Sequence, residues 1–367
     1  MKKSNRKMLL IAGKCVLACA LMAWALRGLK SPAEPDKGLL DVLAEIWQYV
    51  LGSDWLLLGL GALANVIGTT ICAYRIQILL NIQEIRVGLG ELIRLTFLGQ
   101  FFNNVIPGSV GGDLVKAYYL AKHTSHKARV VVSVFVDRVL GLGAMVVLAA
   151  VMVVAYLWAG LGAWRDIHDA IVVVIVLVCG LVFVCAFILS GSFRRLFHLE
   201  KIYGRLSYAH HFAAAGEGAQ RLGRHLLGVF WATVVTFISQ MFWIGSIWVI
   251  GVSLHIHRLT WYDYFLYVPL VYVVGAVPLT PGGIGIIENA YVMFLGQSLK
   301  KIPAADVAGR MLALANNRMV MALALMTRAV QLVWSLPGIL FALQGTRVPK
   351  ADAIEAELGL EDTPAQA

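Results

Sequence analysis

Charged residues are scarce in this 367-residue chain, where Asp, Glu, Lys and Arg together make up 14% and apolar residues reach 59%. Typical soluble domains carry about 25% charged residues, so this composition excludes an ordinary water-soluble fold. The formal net charge is nevertheless +10. Because the basic residues stand in short clusters beside apolar runs, they indicate membrane topology, and nucleic acid is not an expected partner.

Signatures of several enzyme classes are also missing. The sequence has no Walker A motif, no HExxH and no GxSxG, which argues against ATP-driven transport, zinc proteolysis and serine hydrolysis. The five cysteines lie in apolar runs without a CxxC pair, and His255 with His257 is at best a weak metal signal. We expect no cofactor and no metal, and the absence of these motifs disfavours an enzyme without excluding one.

Long apolar runs dominate what remains. A helix needs roughly 20 apolar residues to cross the ~30 Å hydrocarbon layer. The runs between Lys and Arg clusters predict an all-α polytopic membrane protein with about six full spans. These spans lie near residues 8–26, 54–74, 130–157, 169–190, 227–253 and 311–343, the last with a kink at Pro337.

The orientation follows from the basic clusters. Four basic residues precede the first apolar run, so the N-terminus is expected in the cytoplasm: Lys2, Lys3, Arg6 and Lys7. That run could also be a signal peptide, but Lys14 interrupts it, and an uncleaved helix is favoured. Residues 1–345 are predicted to form one transmembrane domain of a bacterial inner-membrane protein. Residues 346–367 are predicted to form a disordered cytoplasmic tail.

Two apolar regions, near 91–116 and 262–297, do not fit as full spans. Each is interrupted by a Pro-Gly pair, Pro107-Gly108 and Pro281-Gly282. Basic residues on both sides of the first region, Arg75 among them, place both its ends in the cytoplasm, whereas the span count places both ends of the second outside. We therefore predict two re-entrant broken-helix hairpins that enter from opposite faces as an inverted repeat, an arrangement found in secondary transporters.

The two breaks predict a polar cavity, since unpaired backbone at membrane depth survives only inside protein or beside water. Glycines permit positive φ and close approach of a ligand, and a helix start offers N–H groups to an anion such as phosphate. Tight turns between helices are the alternative interpretation. The candidate gate and headgroup residues at the breaks are Asn103, Asn104, Pro107, Gly108, Ser109, Gly111, Gly112, Asp113, Pro281, Gly282, Gly283, Gly285 and Glu288.

Charged residues inside the predicted spans complete the candidate site. Asp137 and Arg138 lie in an apolar helix, where a charge costs roughly 2.5–3.5 kcal/mol and needs a partner. Arg138 can pair with Asp113 or bind a lipid phosphate through its fork of donors. In the last span, Arg328 is the deeper candidate, with Glu288 as a candidate partner, whereas Arg318 is expected to reach the membrane interface.

The local pairing of Lys116 has a simpler interpretation. Lys116 follows Asp113 by three residues on the same predicted helix, and residues at this spacing face each other on a helix surface. We therefore expect a surface ion pair between these two side chains.

Three motifs in order carry a resemblance to a known family: the run from Asn103 to Asp113, Val136-Asp137-Arg138, and the run from Pro278 to Glu288. Together they resemble the lysylphosphatidylglycerol synthase transmembrane region, or flippase-like, family over residues 10–343. The resemblance implies lipid translocation between leaflets with the motif residues lining the path. Lysylphosphatidylglycerol synthases carry a soluble aminoacyl-transferase domain after this region, and this sequence continues only about 24 residues, so lipid lysylation is not expected.

The leading hypothesis is a flippase-like transporter of a phosphate-bearing or other anionic lipid, with the two hairpins as inner and outer gates. A membrane-embedded transferase acting on a polyprenyl-phosphate or hopanoid lipid is the enzymatic alternative. A non-transporting partner of lipid-biosynthesis enzymes is the third. The sequence leaves the oligomeric state, the lipid and the driving force open.

Overall fold

The computed structural model describes residues 39–105, 111–122, 124, 126–160, 167–189, 221–277, 279–280, 282–299 and 307–343. Within these ranges the chain is helical and forms no strand, as the all-α prediction requires. The predicted span near 8–26 and the predicted tail at 346–367 lie outside the described residues. The helices are α1 Leu39–Leu51, α2 Trp55–Ile82, α3 Leu89–Val105, α4 Gly111–Ala121, α5 Lys127–Trp158, α6 His168–Leu189, α7 Leu226–Ser253, α8 Trp261–Gly275, α9 Ile286–Leu299 and α10 Val307–Leu343.

Four of these helices, α2, α5, α7 and α10, contain segments long and apolar enough to cross a membrane. The 28 residues of α2 extend for about 42 Å at 1.5 Å per residue. These helices match four of the predicted spans. Helix α6 is a further apolar helix at the position of the span predicted near residues 169–190. Helix α10 continues through Pro337 to Leu343.

Two pairs of shorter helices coincide with the regions that do not fit as spans. Helices α3 and α4, of 17 and 11 residues, pack against each other and form the first hairpin. Helices α8 and α9, of 15 and 14 residues, form the second hairpin in the same way. None of the four reaches the ~30 Å hydrocarbon thickness at 1.5 Å per residue. Entry of these hairpins into the membrane from opposite faces stays a prediction.

The same order of elements occurs twice. Helix α2, the first hairpin and α5 make up the first half, and α7, the second hairpin and α10 make up the second. The halves exchange contacts reciprocally: α3 packs on α10, and α8 packs on α5. Such reciprocal packing is the arrangement expected of two repeats related by a pseudo-two-fold axis.

Small residues hold the two halves together at the α2–α7 contact. A Cβ added to Gly61 would lie 2.9 Å from Ile250 Cγ1, and one added to Gly68 would lie 2.8 Å from Trp243 Cδ1. The hydroxyl of Ser246 on α7 donates to the Gly61 carbonyl oxygen at 2.7 Å. Close backbone approach through glycine and serine is the usual way in which helices associate in apolar surroundings.

Helix α1 was not anticipated from the sequence, and it changes the interpretation of Arg318. This arginine is only 6% exposed and forms an ion pair with Glu45 of α1, which packs on α10. The prediction that Arg318 extends to the interface is therefore wrong. The missing information was the partner, because Glu45 lies in a helix of only 13 residues, too short to be predicted as a span.

Candidate functional site

A cavity of about 270 Å³ lies between the two hairpins and the four long helices. At ~30 Å³ per water it has room for roughly nine water molecules, which is the scale of a lipid headgroup. Both halves of the chain supply its walls. The charged lining residues are Arg75, Asp113, Lys116, Asp137, Arg138 and Arg328.

The first hairpin reaches the cavity through a close contact between its two helices. The Asn103 carboxamide oxygen accepts a hydrogen bond from the Gly112 N–H at 2.8 Å, which caps the start of α4. A Cβ on Gly112 would lie 1.7 Å from the Gly99 carbonyl oxygen, so only glycine fits there. Asn103 therefore has the capping role, although its side chain also lines the cavity. Pro107, Gly108 and Ser109 lie outside the described residues.

The second hairpin breaks at a run of glycines in the left-handed region, where residues with a Cβ are strained. Gly282, Gly283 and Gly285 have φ values of 55°, 68° and 80°. Just after this turn, the Gly285 N–H donates to Glu288 Oε2 at 2.7 Å. Glu288 thereby caps the start of α9 from inside its own first turn. Pro281 lies outside the described residues.

The two hairpins meet where each is broken. A Cβ on Gly282 would lie 3.0 Å from the Asn104 carbonyl oxygen and 3.5 Å from Arg328 Nη1. Asn104, Gly282 and Arg328 all line the cavity. The contact brings one break from each half to the same wall, which spacing in the sequence alone could not establish.

Each half pairs the carboxylate of its hairpin with an arginine of its following long helix. In the first half, Arg138 Nη1 lies 2.9 Å from Asp113 Oδ2, and these side chains are 32% and 21% exposed. This is one of the two partners considered for Arg138 from the sequence.

In the second half, Arg328 Nε donates to Glu288 Oε1 at 2.5 Å, and Glu288 is fully buried. Arg328 Nη1 also donates to the Gly282 carbonyl oxygen at 3.1 Å. Its Nη2 is buried and has no hydrogen-bond partner among the described residues. Arg328 therefore ties the broken tip of the second hairpin to α10 and keeps one donor group uncommitted.

A third charged cluster centres on Asp137. Arg75 Nε donates to Asp137 Oδ1 at 2.6 Å, and Lys116 Nζ lies 3.7 Å from Asp137 Oδ2. All three side chains are buried. The expected surface pair between Lys116 and Asp113 is therefore wrong, because Lys116 turns inward to Asp137.

Arg75 is a buried residue of a long helix and does not lie in a loop flanking the first hairpin. Arg75 belongs to α2, which continues to Ile82, well beyond the predicted span end at residue 74. Basic residues do not mark the end of this span, because a buried ion pair with Asp137 allows Arg75 to lie within the long helix.

The predicted site residues divide into three groups. Seven line the cavity: Asn103, Asn104, Asp113, Asp137, Arg138, Gly282 and Arg328. Five others shape or hold the hairpin breaks without lining it: Gly111, Gly112, Gly283, Gly285 and Glu288. The remaining four, Pro107, Gly108, Ser109 and Pro281, lie outside the described residues.

Several lining residues escaped sequence reasoning, and most of them are neutral. Glutamines within apolar helices were the signal available, since a carboxamide in such a position needs a hydrogen-bond partner. The lining residues missed in this way are Gln100, Gln240, Trp243, Tyr272 and Gln331, together with the charged Arg75 and Lys116.

The fold and the cavity together define a polytopic helical membrane protein with a charged internal site. The family model described as Lysylphosphatidylglycerol synthase TM region matches residues 11–338. The match covers most of the chain, and the protein belongs to this family. Membership indicates a membrane protein with a lipid-related function. Comparison with curated proteins finds none that matches.

Proposed function

We propose that this protein moves an anionic, phosphate-bearing lipid between the leaflets of the bacterial inner membrane. The observation that supports it best is the placement of Arg138 and Arg328, one from each half, in the wall of one cavity. The guanidinium group is the side chain best suited to binding phosphate through paired hydrogen bonds. Membership of a family with a lipid-related function agrees with this proposal.

The balance of charge in the site favours an anion. Four cationic side chains, Arg75, Lys116, Arg138 and Arg328, line the cavity. Three carboxylates face them, Asp113 and Asp137 in the wall and Glu288 paired with Arg328, so four positive charges against three negative leave a net charge of +1. A phosphate entering the cavity competes with Asp113 and Glu288 for the arginines, which allows it to bind and to leave again.

The hairpins supply the gates in this proposal. In the inverted-repeat topology, with both chain termini in the cytoplasm, the first hairpin enters from the inner face and the second from the outer face. The contact between Gly282 and Asn104 joins their tips. The headgroup passes when the tips separate, while the acyl chains stay in the bilayer. A proton carried on Asp113 or Glu288 is the proposed coupling ion.

Reconstitution into liposomes tests the proposal directly. The purified protein is inserted into vesicles that contain fluorescent phosphatidylglycerol, and dithionite then bleaches only the lipid exposed in the outer leaflet. Protein-dependent bleaching beyond the outer-leaflet fraction, with the lipid recovered unmodified, is expected. Recovery of a new lipid product would support the transferase, and no movement of any anionic lipid would contradict transport.

Arginine-to-lysine variants identify the site while keeping its charge. Arg138→Lys and Arg328→Lys retain the cation but lose the fork of donors, so we expect lipid movement to slow by about tenfold in each. Arg94→Lys is the matched control, because Arg94 is exposed and does not line the cavity. Equal rates in all three variants would remove these arginines from the path.

A further inference from the structure

The cavity has a second kind of lining that phosphate binding does not use. Beside the charged residues, carboxamide and aromatic side chains face the same space from α3, α7, α8 and α10. These five residues, called the neutral wall, are Gln100, Gln240, Trp243, Tyr272 and Gln331. A site for phosphate alone does not need them.

Each glutamine of the neutral wall is held at one end only. Gln240 Nε2 donates to the Gly141 carbonyl oxygen at 3.3 Å, and the Gln331 carboxamide donates to the Tyr272 hydroxyl at 2.7 Å. Gln100 Oε1 lies 3.4 Å from Thr69 Oγ1, whose hydroxyl donates to the Asn65 carbonyl oxygen at 2.9 Å. Among the described residues, nothing binds the other end of these three carboxamides. They are thus oriented by the protein and still able to bind a ligand.

The open end of Gln240 is an acceptor, because its nitrogen is committed to a carbonyl. Gln100 presents one end of its carboxamide, since Thr69 Oγ1 can also accept from the Gln100 nitrogen when that group is turned. Gln331 presents one end of its carboxamide whichever way that group is turned. A hydroxyl group both donates and accepts, so it can satisfy either end, whereas an ammonium group can only donate.

Aromatic rings complete the neutral wall. The Trp243 and Tyr272 rings lie 5.5 Å apart at 60°, and both side chains are only partly buried. Trp243 Nε1 lies 3.5 Å from Thr69 Oγ1, which positions the indole. Ring faces beside carboxamides offer apolar surface for carbon-bound hydrogens and hydrogen bonds for hydroxyls in the same site.

An ammonium headgroup finds poorer partners in this cavity. The two carboxylates in the wall, Asp113 and Asp137, already face Arg138, Arg75 and Lys116. Adding another cation would increase an existing excess of positive charge.

We propose that the headgroup of the transported lipid carries a neutral, hydroxyl-rich group beyond its phosphate, a polyol or a sugar, and that the neutral wall recognises it. This inference rests on the proposed function and adds the chemical class of the headgroup. The phosphate lies at Arg138 and Arg328, and the hydroxyls bind Gln240, Gln331 and Gln100.

Equilibrium binding tests the headgroup class separately from transport. The full chain in nanodiscs is titrated with four dihexanoyl lipids: phosphatidylinositol, phosphatidylglycerol, phosphatidic acid and phosphatidylethanolamine. The tighter of the two hydroxylated lipids is expected to bind about tenfold more tightly than phosphatidic acid, which has the phosphate without the hydroxylated group. Phosphatidylethanolamine is expected to bind most weakly.

The neutral wall is tested with the double variant Gln240→Leu and Gln331→Leu. The preference for the hydroxylated lipid over phosphatidic acid should fall from about tenfold to less than about twofold. Gln48→Leu, an exposed glutamine of α1 outside the cavity, should keep the full preference.

The wild-type ranking is decisive even if the double variant fails to fold. Equal binding of phosphatidic acid and the hydroxylated lipids, or tighter binding of phosphatidylethanolamine, overturns the headgroup class and leaves anionic lipid transport standing. Absence of binding by every anionic lipid overturns both the headgroup class and the proposed function.

Discussion

At the scale of single residues, the site is built from charges that constrain one another. Glu288 is fully buried and binds both Arg328 and the Gly285 N–H, whereas Asp113 and Arg138 remain partly exposed. Burial makes an ion pair costly to break, because removal of one partner leaves the other charge without compensation. Each pair joins a carboxylate to an arginine, but the two differ in burial. The buried Glu288–Arg328 pair therefore holds its hairpin more firmly than the Asp113–Arg138 pair does.

Neutralising each carboxylate in turn tests this difference. Glu288→Gln is expected to cost about 3 kcal/mol, since it leaves Arg328 in a buried site without its counter-charge. Asp113→Asn should cost about 1 kcal/mol, because Arg138 retains access to the cavity. Thermal unfolding in detergent checks the order, with Glu91→Gln as the control, because Glu91 is only half-buried and its pair with Arg94 is loose at 3.8 Å. A larger loss for Asp113→Asn than for Glu288→Gln would contradict the assigned roles.

An acidic residue outside the spans gives the fold a pH dependence. Glu84, in the turn between α2 and α3, has a φ of 64°. The pKa of Glu84 is lowered because Arg221 Nη1 approaches its carboxylate at 2.8 Å, hydrogen-bonds it and adds its charge. A lowered folded-state pKa gives stability above the unfolded value of about 4.3, and this stability is lost as the pH falls through the folded value.

The expected result is a Glu84→Gln variant that unfolds at a lower temperature than wild type at pH 7, with the difference narrowing as the pH falls below about 4.3. Thermal unfolding of both proteins over this pH range checks it. Glu91→Gln serves again as control, since Glu91 is half-buried and faces the exposed Arg94 at the longer distance of 3.8 Å. A difference between Glu84→Gln and wild type that persists unchanged at pH 3 would rule out the carboxylate charge as its cause.

Much of the residue-level site was accessible from the sequence because a charge in an apolar helix is conspicuous. Asp137, Arg138 and Arg328 were identified for this reason, and all three line the cavity. Their partners were harder to identify, since Arg75 pairs with Asp137 across 62 positions in the chain. Neutral lining residues such as Gln240 carry a weaker signal, because an uncharged carboxamide costs less to place in an apolar helix than a charge does.

At the scale of elements, the broken hairpins distinguish this fold from a simple bundle. The Pro-Gly pairs predicted both breaks, because proline removes a helix hydrogen bond and the glycine beside it reaches positive φ. The sequence could not predict that the Gly282 turn would lie against Asn104, since that contact depends on how the two halves pack. Helix α1 was missed for a related reason: it is short, and Glu45 pairs with Arg318 of α10, which is remote in the sequence.

The re-entrant topology has a direct test in single-cysteine labelling, starting from a background without the five native cysteines. Gly88 and His126 are exposed and stand before and after the first hairpin. Gly88→Cys and His126→Cys should therefore react with a membrane-impermeant reagent from the same side. His257→Cys, exposed between α7 and α8, should react from the opposite side.

A hairpin that crossed the membrane completely would give a different pattern, with the cysteines at 88 and 126 labelled from opposite sides. Trp158→Cys supplies the internal reference, because Trp158 is exposed at the far end of α5 from His126 and should be labelled together with position 257. If His126→Cys and His257→Cys were labelled from the same side of the membrane, the inverted-repeat topology would be contradicted.

At the scale of the whole molecule, two halves of the same design enclose one cavity. The first helix of each hairpin packs against the last long helix of the other half, α3 on α10 and α8 on α5. The backbone approach is close here, since a Cβ on Gly338 of α10 would lie 2.7 Å from the Phe97 carbonyl oxygen of α3. In the proposed transport cycle, this close packing couples movement of one hairpin to the opposite half, as alternating access requires.

Joining the hairpin tips should stop this movement. In the cysteine-free background, Asn104→Cys and Gly282→Cys place two thiols where the tips meet, since a Cβ on Gly282 lies 3.2 Å from Asn104 Cα. Oxidation is expected to form a disulfide and to reduce lipid movement in liposomes by at least about tenfold, because the headgroup passes only when the tips separate. Reduction should restore the rate of the same sample, which controls for strain at the positive φ of Gly282. Each single variant should be insensitive to oxidation. Undiminished transport by a fully cross-linked protein would show that the tips are not the gate, and would shift the pathway to another face of the cavity.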